Sequence, residues 1–281
     1  MKLKCGSRTL DLSQPQIMGI LNVTPDSFSD GGRHCDLEGA MAQARRMVEE
    51  GASILDVGGE STRPGAAEVS LAQELDRTLP VIEQIRAELD VVISIDTSKA
   101  EVMRQAVAAG AGIINDVRAL QAPGALEAAA QSGAAICLMH MQGQPRTMQQ
   151  APTYENLFLE INRFLQSRVQ ACREAGIVAS RLILDPGLGF GKTLQHNFQL
   201  LANLDQLREH GLPLLIGLSR KSMIGNLLER SIDQRMVGSV TGALLAIQQG
   251  AEIVRVHDVA QTRDAVRVWQ ATQAQRSTPL L

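Results

Sequence analysis

Polar and charged side chains stand at the ends of a series of short aliphatic runs. In order they are Asn22, Asp56, Asp96, Asn115, His140, Asp185, the run Ser219-Arg220-Lys221, and then Arg255 and His257. One such residue at a strand end is ordinarily a turn former. Acids, amides and cations delivered repeatedly to one rim read as a binding site. They sort into two groups. Asp56, Asp96, Asn115 and Asp185 suit a flat heterocycle with several N–H donors, because a carboxylate accepts two parallel bonds and an amide both donates and accepts. Arg220, Lys221, Arg255 and His257 follow the last two runs, where this kind of chain places a phosphate site, and Asn22 offers a neutral oxygen to a cation carried by that phosphate.

The longest such stretch is Leu182-Ile183-Leu184-Asp185-Pro186-Gly187-Leu188-Gly189-Phe190-Gly191-Lys192. Its glycines allow a tight turn and close approach to a ligand. The ending Gly191-Lys192-Thr193 imitates a phosphate-binding P-loop, but Pro186 stands where that pattern needs its first glycine. Two earlier stretches, Thr24–Gly32 and Gly58–Gly65, are rich in Gly, Pro and Ser. Their composition predicts mobile loops, with a lid as one role. Phe28 lies among polar residues in the first, so a stacking surface and a plain loop anchor are both open readings.

The elements that must position these groups follow a repeated unit, a helix ending in Gly followed by an aliphatic strand. The junctions are Glu50-Gly51, Ala109-Gly110, Ser132-Gly133, Ala175-Gly176, His210-Gly211 and Gln249-Gly250, where glycine takes the left-handed cap that other residues resist. The expected strands are 17–21, 53–57, 91–95, 113–115, 135–139, 181–184, 214–218 and 253–256. Helices are expected at 37–50, 71–89, 101–109, 154–175, 196–209, 235–249 and 259–272. Runs that do not alternate apolar with polar point to a parallel sheet covered on both faces. A closed (β/α)8 TIM barrel fits the count of eight, with an open doubly wound sheet as the alternative. Residues 1–12 read as a short N-terminal hairpin and 273–281 as a frayed tail, with residues 1–281 as one domain.

The composition narrows the function class. The 281 residues are 44% hydrophobic and carry a net charge of -3, without a long block of either sign. That supports a large core and gives no support to a nucleic-acid or anionic-membrane partner. Only 2% are aromatic, so the core must be aliphatic. Cys5, Cys35, Cys137 and Cys172 contain no C-x-x-C pair, and no apolar run has the length of a membrane span. Both features suit a reduced, cytoplasmic protein.

The sequence resembles a known family over nearly its whole length. Met18-Gly19-Ile20-Leu21-Asn22-Val23-Thr24-Pro25-Asp26-Ser27-Phe28-Ser29-Asp30-Gly31-Gly32 and Gly58-Gly59-Glu60-Ser61-Thr62-Arg63-Pro64-Gly65 are similar to two motifs of the bacterial dihydropteroate synthases. Asp185–Lys192, Ser219-Arg220-Lys221-Ser222 and Arg255-Val256-His257 match further ones. The resemblance implies the barrel and a transferase of folate biosynthesis. Such an enzyme joins 6-hydroxymethyl-7,8-dihydropterin diphosphate to p-aminobenzoate, is inhibited by sulfonamides, uses Mg2+ and is commonly a homodimer. It implies pterin contacts from Asp56, Asp96, Asn115, Asp185, Lys221 and Arg255. It implies diphosphate contacts from Asn22, Thr62, Arg63, Arg255 and His257, with Asn22 on the metal. Phe28, Thr62, Pro64, Phe190, Ser219 and Lys221 would line the p-aminobenzoate pocket, and Asp96, Lys221 and Arg255 would carry catalysis. A pterin-dependent methyltransferase domain and a non-catalytic pterin-binding paralogue stay open beside it.

Overall fold

Aliphatic runs that are buried from end to end become parallel strands here. The computed structural model describes residues 1–24, 33–61, 69–143, 148 and 152–276. A two-stranded antiparallel hairpin, β1 (Lys2–Cys5) and β2 (Arg8–Asp11), precedes the sheet. The sheet strands are β3 (Gln16–Asn22), β4 (Ile54–Gly58), β5 (Val92–Asp96), β6 (Ile113–Asp116), β7 (Ala135–Met139), β8 (Leu182–Asp185), β9 (Leu215–Ile216) and β10 (Ile253–Val256). They pair in parallel in the order β8-β7-β6-β5-β4-β3-β10-β9. A parallel bridge from Leu184 to Leu214 joins β8 to the residue before β9 and closes the ring. This is the (β/α)8 barrel, and the open-sheet alternative is excluded.

The helices on the outside are α1 (Arg33–Glu50), α2 (Leu71–Glu88), α3 (Ala100–Ala109), α4 (Ala125–Gln131), α5 (Leu157–Glu174), α6 (Leu194–Ala202), α7 (Ser222–Leu228), α8 (Met236–Gln248) and α9 (Val259–Arg276). Strand side chains alternate between the two faces. Ile17, Leu55, Ile93, Ile114, Ile136 and Val254 point outward and join the helices in the larger core. Met18, Ile54, Val92, Ile113, Cys137, Ile183 and Ile253 point inward and form a second core with Leu3, Cys5, Leu10 and Leu12 of the hairpin region. The hairpin therefore plugs the N-terminal mouth of the barrel and leaves the C-terminal mouth to the polar residues.

Several boundaries differ from the sequence expectation. Gly51, Gly110, Gly176, Gly211 and Gly250 have positive φ, as caps require, but Gly133 does not. Ser132 ends α4 instead, in an extended conformation with φ -80°. The expected helix over 196–209 breaks at Asn203 into α6 and a 3-10 segment, Leu204–His210. The seventh expected strand, over 214–218, shrinks to two residues, Leu215–Ile216. The last helix, α9, runs to Arg276, past its expected end at 272, and residues 277–281 lie outside the described residues. The loop expectations for 25–32 and 62–68 lie outside the described residues.

Candidate active site

The strand pleat that buries Met18, Ile54 and Val92 inside the barrel aims Asn22, Asp56, Asp96, Asn115, Asp185 and Arg255 the same way, nearer the C-terminal mouth. Here the sequence reading needs one correction. The strands do alternate in their second halves, as in Leu55-Asp56-Val57 and Ile93-Ser94-Ile95-Asp96. Asp56 lies inside β4 rather than at its end, opposite Ile20 on one side and Ser94 on the other.

Arg255 ties the acids together. Its Nε donates to Asp56 Oδ2 at 2.5 Å and its Nη2 to Asp96 Oδ2 at 2.8 Å. Asn115 Nδ2 donates to the same Asp56 oxygen at 3.1 Å. Asp56 is fully buried, and its other oxygen has no partner among the described residues. Burial pushes the Asp96 carboxyl up to about 7, although the Arg255 guanidinium pulls it back. Burial also raises Asp185, against Lys221 and the Gly187 N–H that donates to Asp185 Oδ1 at 2.7 Å. The same desolvation brings Lys221 down to about 8, opposed by Asp185. Burial works against the Arg255 charge too, but Asp56 and Asp96 more than offset it and its pKa rises.

A cavity of about 400 Å³ opens above this cluster. Asn22, Asp96, Phe190, Ser219, Lys221, Arg255 and His257 line it. Asp56, Asn115 and Asp185 are buried behind that lining. The Lys221 ammonium donates to Leu188 O at 2.5 Å and stands 4.4 Å from the Phe190 ring centroid, so it is bound on its carbonyl side and over a π face. Ser219 Oγ accepts from the His257 N–H at 3.1 Å and lies 3.0 Å from His257 Nδ1. Phe28, Thr62, Arg63 and Pro64 are outside the described residues.

Arg220 lines the cavity and is also tied to α9. Its guanidinium grips Asp258 with both arms, Nη2 to Oδ1 at 2.5 Å and Nε to Oδ2 at 3.1 Å. Its backbone takes φ 55°, a left-handed value that a non-glycine residue adopts at a cost. Ser239 Oγ accepts its N–H at 2.8 Å, and Arg235 donates to its carbonyl at 3.0 Å. These bonds hold the turn from which Ser219 and Lys221 project. Glu60, Ser61, Ser222 and Arg235 also line the cavity and were missed. Glu60, Ser61 and Ser222 lie within the motifs quoted above, which was a usable signal. Arg235 sits at the start of α8 with no local pattern to mark it.

The donor set can be tested against a divalent cation. Among the described residues no group of three His, Cys, Asp or Glu is placed to hold one. Asn22 Oδ1 and Asp96 Oδ2 nevertheless flank Gly58, the second also accepting from Arg255 Nη2, and both residues line the cavity. A Cβ on Gly58 would stand 3.6 Å from the first and 3.9 Å from the second. One neutral oxygen beside a carboxylate fits Mg2+ that keeps waters and takes its other ligands from a substrate phosphate.

A family model described as pterin binding enzyme matches residues 18–257. The chain belongs to that family. Its relatives include dihydropteroate synthase of Haemophilus influenzae, 57% identical across 97% of this chain and 99% of that one. Dihydropteroate synthase of Escherichia coli is 56% identical across 97% of this chain and 96% of that one. Among solved structures, Yersinia pestis dihydropteroate synthase with a sulfonamide drug superposes with a TM-score of 0.93 at 56% identity, covering 98% of this chain and all of that one. Xanthomonas albilineans dihydropteroate synthase with 4-aminobenzoic acid gives 0.92 at 54% identity, covering 97% and 98%. The matched segment contains every site residue that the family resemblance implied, from Asn22 to His257.

Proposed function

We propose that this chain is a dihydropteroate synthase, joining 6-hydroxymethyl-7,8-dihydropterin diphosphate to p-aminobenzoate and releasing 7,8-dihydropteroate and diphosphate. The observation that carries the reading is the Asp56–Arg255–Asp96 cluster at the floor of a cavity whose rim bears Lys221, Ser219 and His257. High identity over nearly the full length of named synthases supports it over the methyltransferase and non-catalytic alternatives.

Each residue has a part in this reading. Asp96, Asn115 and Asp185 accept and donate along the pterin edge, with Asp56 holding Asn115 and Arg255 in place. Arg255 stacks on the pterin face, which its two carboxylate partners keep in one plane. The bond that breaks joins the pterin methylene carbon to a diphosphate oxygen, and the bond that forms joins that carbon to the arylamine nitrogen. Positive charge developing on the pterin is stabilised by the ionised Asp96. The arylamine is already neutral, so no strong base is required and no covalent enzyme intermediate forms. Asn22, Thr62, Arg63, Arg255 and His257 surround the diphosphate. Mg2+ held by Asn22 and the phosphates would supply neutralising charge for the leaving group. Phe28, Thr62, Pro64, Phe190, Ser219 and Lys221 form the p-aminobenzoate pocket.

The protomer is read as a single domain and as half of a homodimer. Support for the dimer is an apolar surface on α7, α8 and the turn between them, where Leu227, Leu228, Ile232, Val237 and Leu245 are exposed. Buried thiols at Cys5, Cys137 and Cys172 suit the reducing cytoplasm. No helix among the described residues is long and apolar enough to cross a membrane. Release of diphosphate on mixing both substrates with Mg2+ tests the activity. Absence of product from folded protein would overturn it.

A further inference from the structure

The glycine-rich loop after β8 rests on a pair of side chains that the reaction does not use. Lys192 is 2% exposed. Its Nζ lies 3.0 Å from His140 Nδ1, donates to Phe190 O at 3.0 Å and reaches His140 O at 3.5 Å. His140 is buried, edge-on to Phe164 at 5.0 Å and tilted toward Tyr154 at 6.1 Å. Tyr154 Oη donates to Gly191 O at 2.7 Å. In this dry box burial holds the imidazole pKa down to about 3 and brings the Lys192 ammonium down to about 7. A neutral His140 with its proton on Nε2 accepts from Lys192 at Nδ1.

Two glycines make the same contact sterically feasible. A Cβ on Gly187, at φ 70°, would stand 1.9 Å from His140 O, and one on Gly191, at φ 60°, 2.4 Å from Gln142 O. The loops after β7 and β8 thus lie backbone on backbone, and Lys192 is the bolt between them. A buried ammonium is retained only where each of its donors finds an acceptor. The segment bolted down is the one that faces the cavity. Leu188 O holds the Lys221 ammonium at 2.5 Å, and the Phe190 ring lies under it at 4.4 Å. Lys192 itself is behind the cavity lining.

We propose that Lys192, through His140, is a positioning residue that sets the height of the Leu188–Phe190 segment and hence the wall that receives the arylamine. The inference rests on the arylamine reading given above. Misplacing a reacting group by about 1 Å costs up to about 10²-fold, so a loop shift of that order is a measurable event.

The test is Lys192→Met, which keeps the length of the side chain and removes its donors. The expected result is a rise of about tenfold in KM for p-aminobenzoate, with dihydropterin affinity by calorimetry changed less than about twofold. His140→Gln, which keeps an acceptor for Lys192, stays near the parent protein, while His140→Leu repeats Lys192→Met. The double variant Lys192→Met/His140→Leu is no worse than Lys192→Met alone, because the contact to the His140 ring is already lost with the ammonium. If Lys192→Met does not fold, the His140→Gln and His140→Leu comparison carries the same decision. An unchanged KM in both donor-less and acceptor-less variants overturns the proposal. So does an equal rise in the constants for both substrates, which marks general loosening of the barrel mouth. An unmodified protein that makes no dihydropteroate would instead sink the functional reading itself.

Discussion

Arg255 Nε and Asp56 Oδ2 lie 2.5 Å apart across β3, which separates their strands in the barrel. The contact spans 199 residues of sequence and leaves Asp56 fully buried. Removing one member of a buried ion pair strands the other. Asp56→Ala should therefore destabilise the fold by about 3 kcal/mol. Asp56→Ala/Arg255→Met should cost less than the sum of the two single changes, because the Asp56–Arg255 contact is lost once, while Asp96 loses its partner whenever Arg255 is replaced. Urea denaturation of the three proteins decides this, and a double variant weaker than the sum of the singles would contradict it.

Asp185 is inward-facing, buried and close to Lys221. A charge-assisted hydrogen bond contributes roughly 1.5–3 kcal/mol. Asp185→Ala should then weaken dihydropterin binding by about 10- to 150-fold. Calorimetry measures it directly. Unchanged affinity in folded protein would remove Asp185 from the pterin site.

Burial pushes Asp96 up to about 7. In the unfolded chain the group titrates near about 4. Between those values the folded state holds a proton that the unfolded state has lost, so this contribution to stability is complete below the lower value. It declines as pH rises and is gone above about 7. Pterin binding runs the other way, since N–H donors of the ligand favour the ionised carboxylate. Affinity should tighten between about pH 5.5 and 8, and Asp96→Asn should flatten both the binding and the stability profiles. Parallel profiles for the two proteins would assign the titration elsewhere.

Asn22 Oδ1 and Asp96 Oδ2 flank Gly58 at the cavity. Chelation of Mg2+ should abolish turnover, and Asn22→Ala should raise the Mg2+ concentration needed for half-maximal rate. Full activity in excess chelator would exclude the metal role of Asn22.

Val237 is 70% exposed on α8, and Leu228 and Ile232 are exposed just before that helix in the chain. If the apolar surface of α7 and α8 is the dimer face, Val237→Glu should shift sedimentation from dimer toward monomer at micromolar concentration. A parent protein that sediments as a monomer would withdraw the dimer.

The pattern of the strands was legible because it is local. Each run of four or five aliphatic residues declares a strand, and a polar residue near its end survives there only if it has solvent, a ligand or a partner. Asp96, Asp185, Lys221 and Arg255 were therefore visible as a group before any coordinates. The motif around Phe28 and the motif around Thr62, Arg63 and Pro64 were equally visible, although those residues lie outside the described structure. Arg235 was not visible, since a lone arginine at a helix start has many uses.

By itself the sequence determined the eight strands and the identity of the rim residues, because pleat, helix period and glycine caps act over a few residues at a time, while the barrel followed from the family resemblance and its closure from the bridge between Leu184 and Leu214. Tertiary structure alone decided which charges answer which. Arg220 was equivalent to Arg255 in the sequence, yet Arg220 spends its fork on Asp258 while Arg255 holds Asp56 and Asp96. Lys192 looked like the end of a phosphate loop, yet it is buried against His140. Those assignments depend on burial and on distances between residues far apart in the chain. The energy of a charge is set by the dielectric and the partners around it, and neither exists until the barrel has closed.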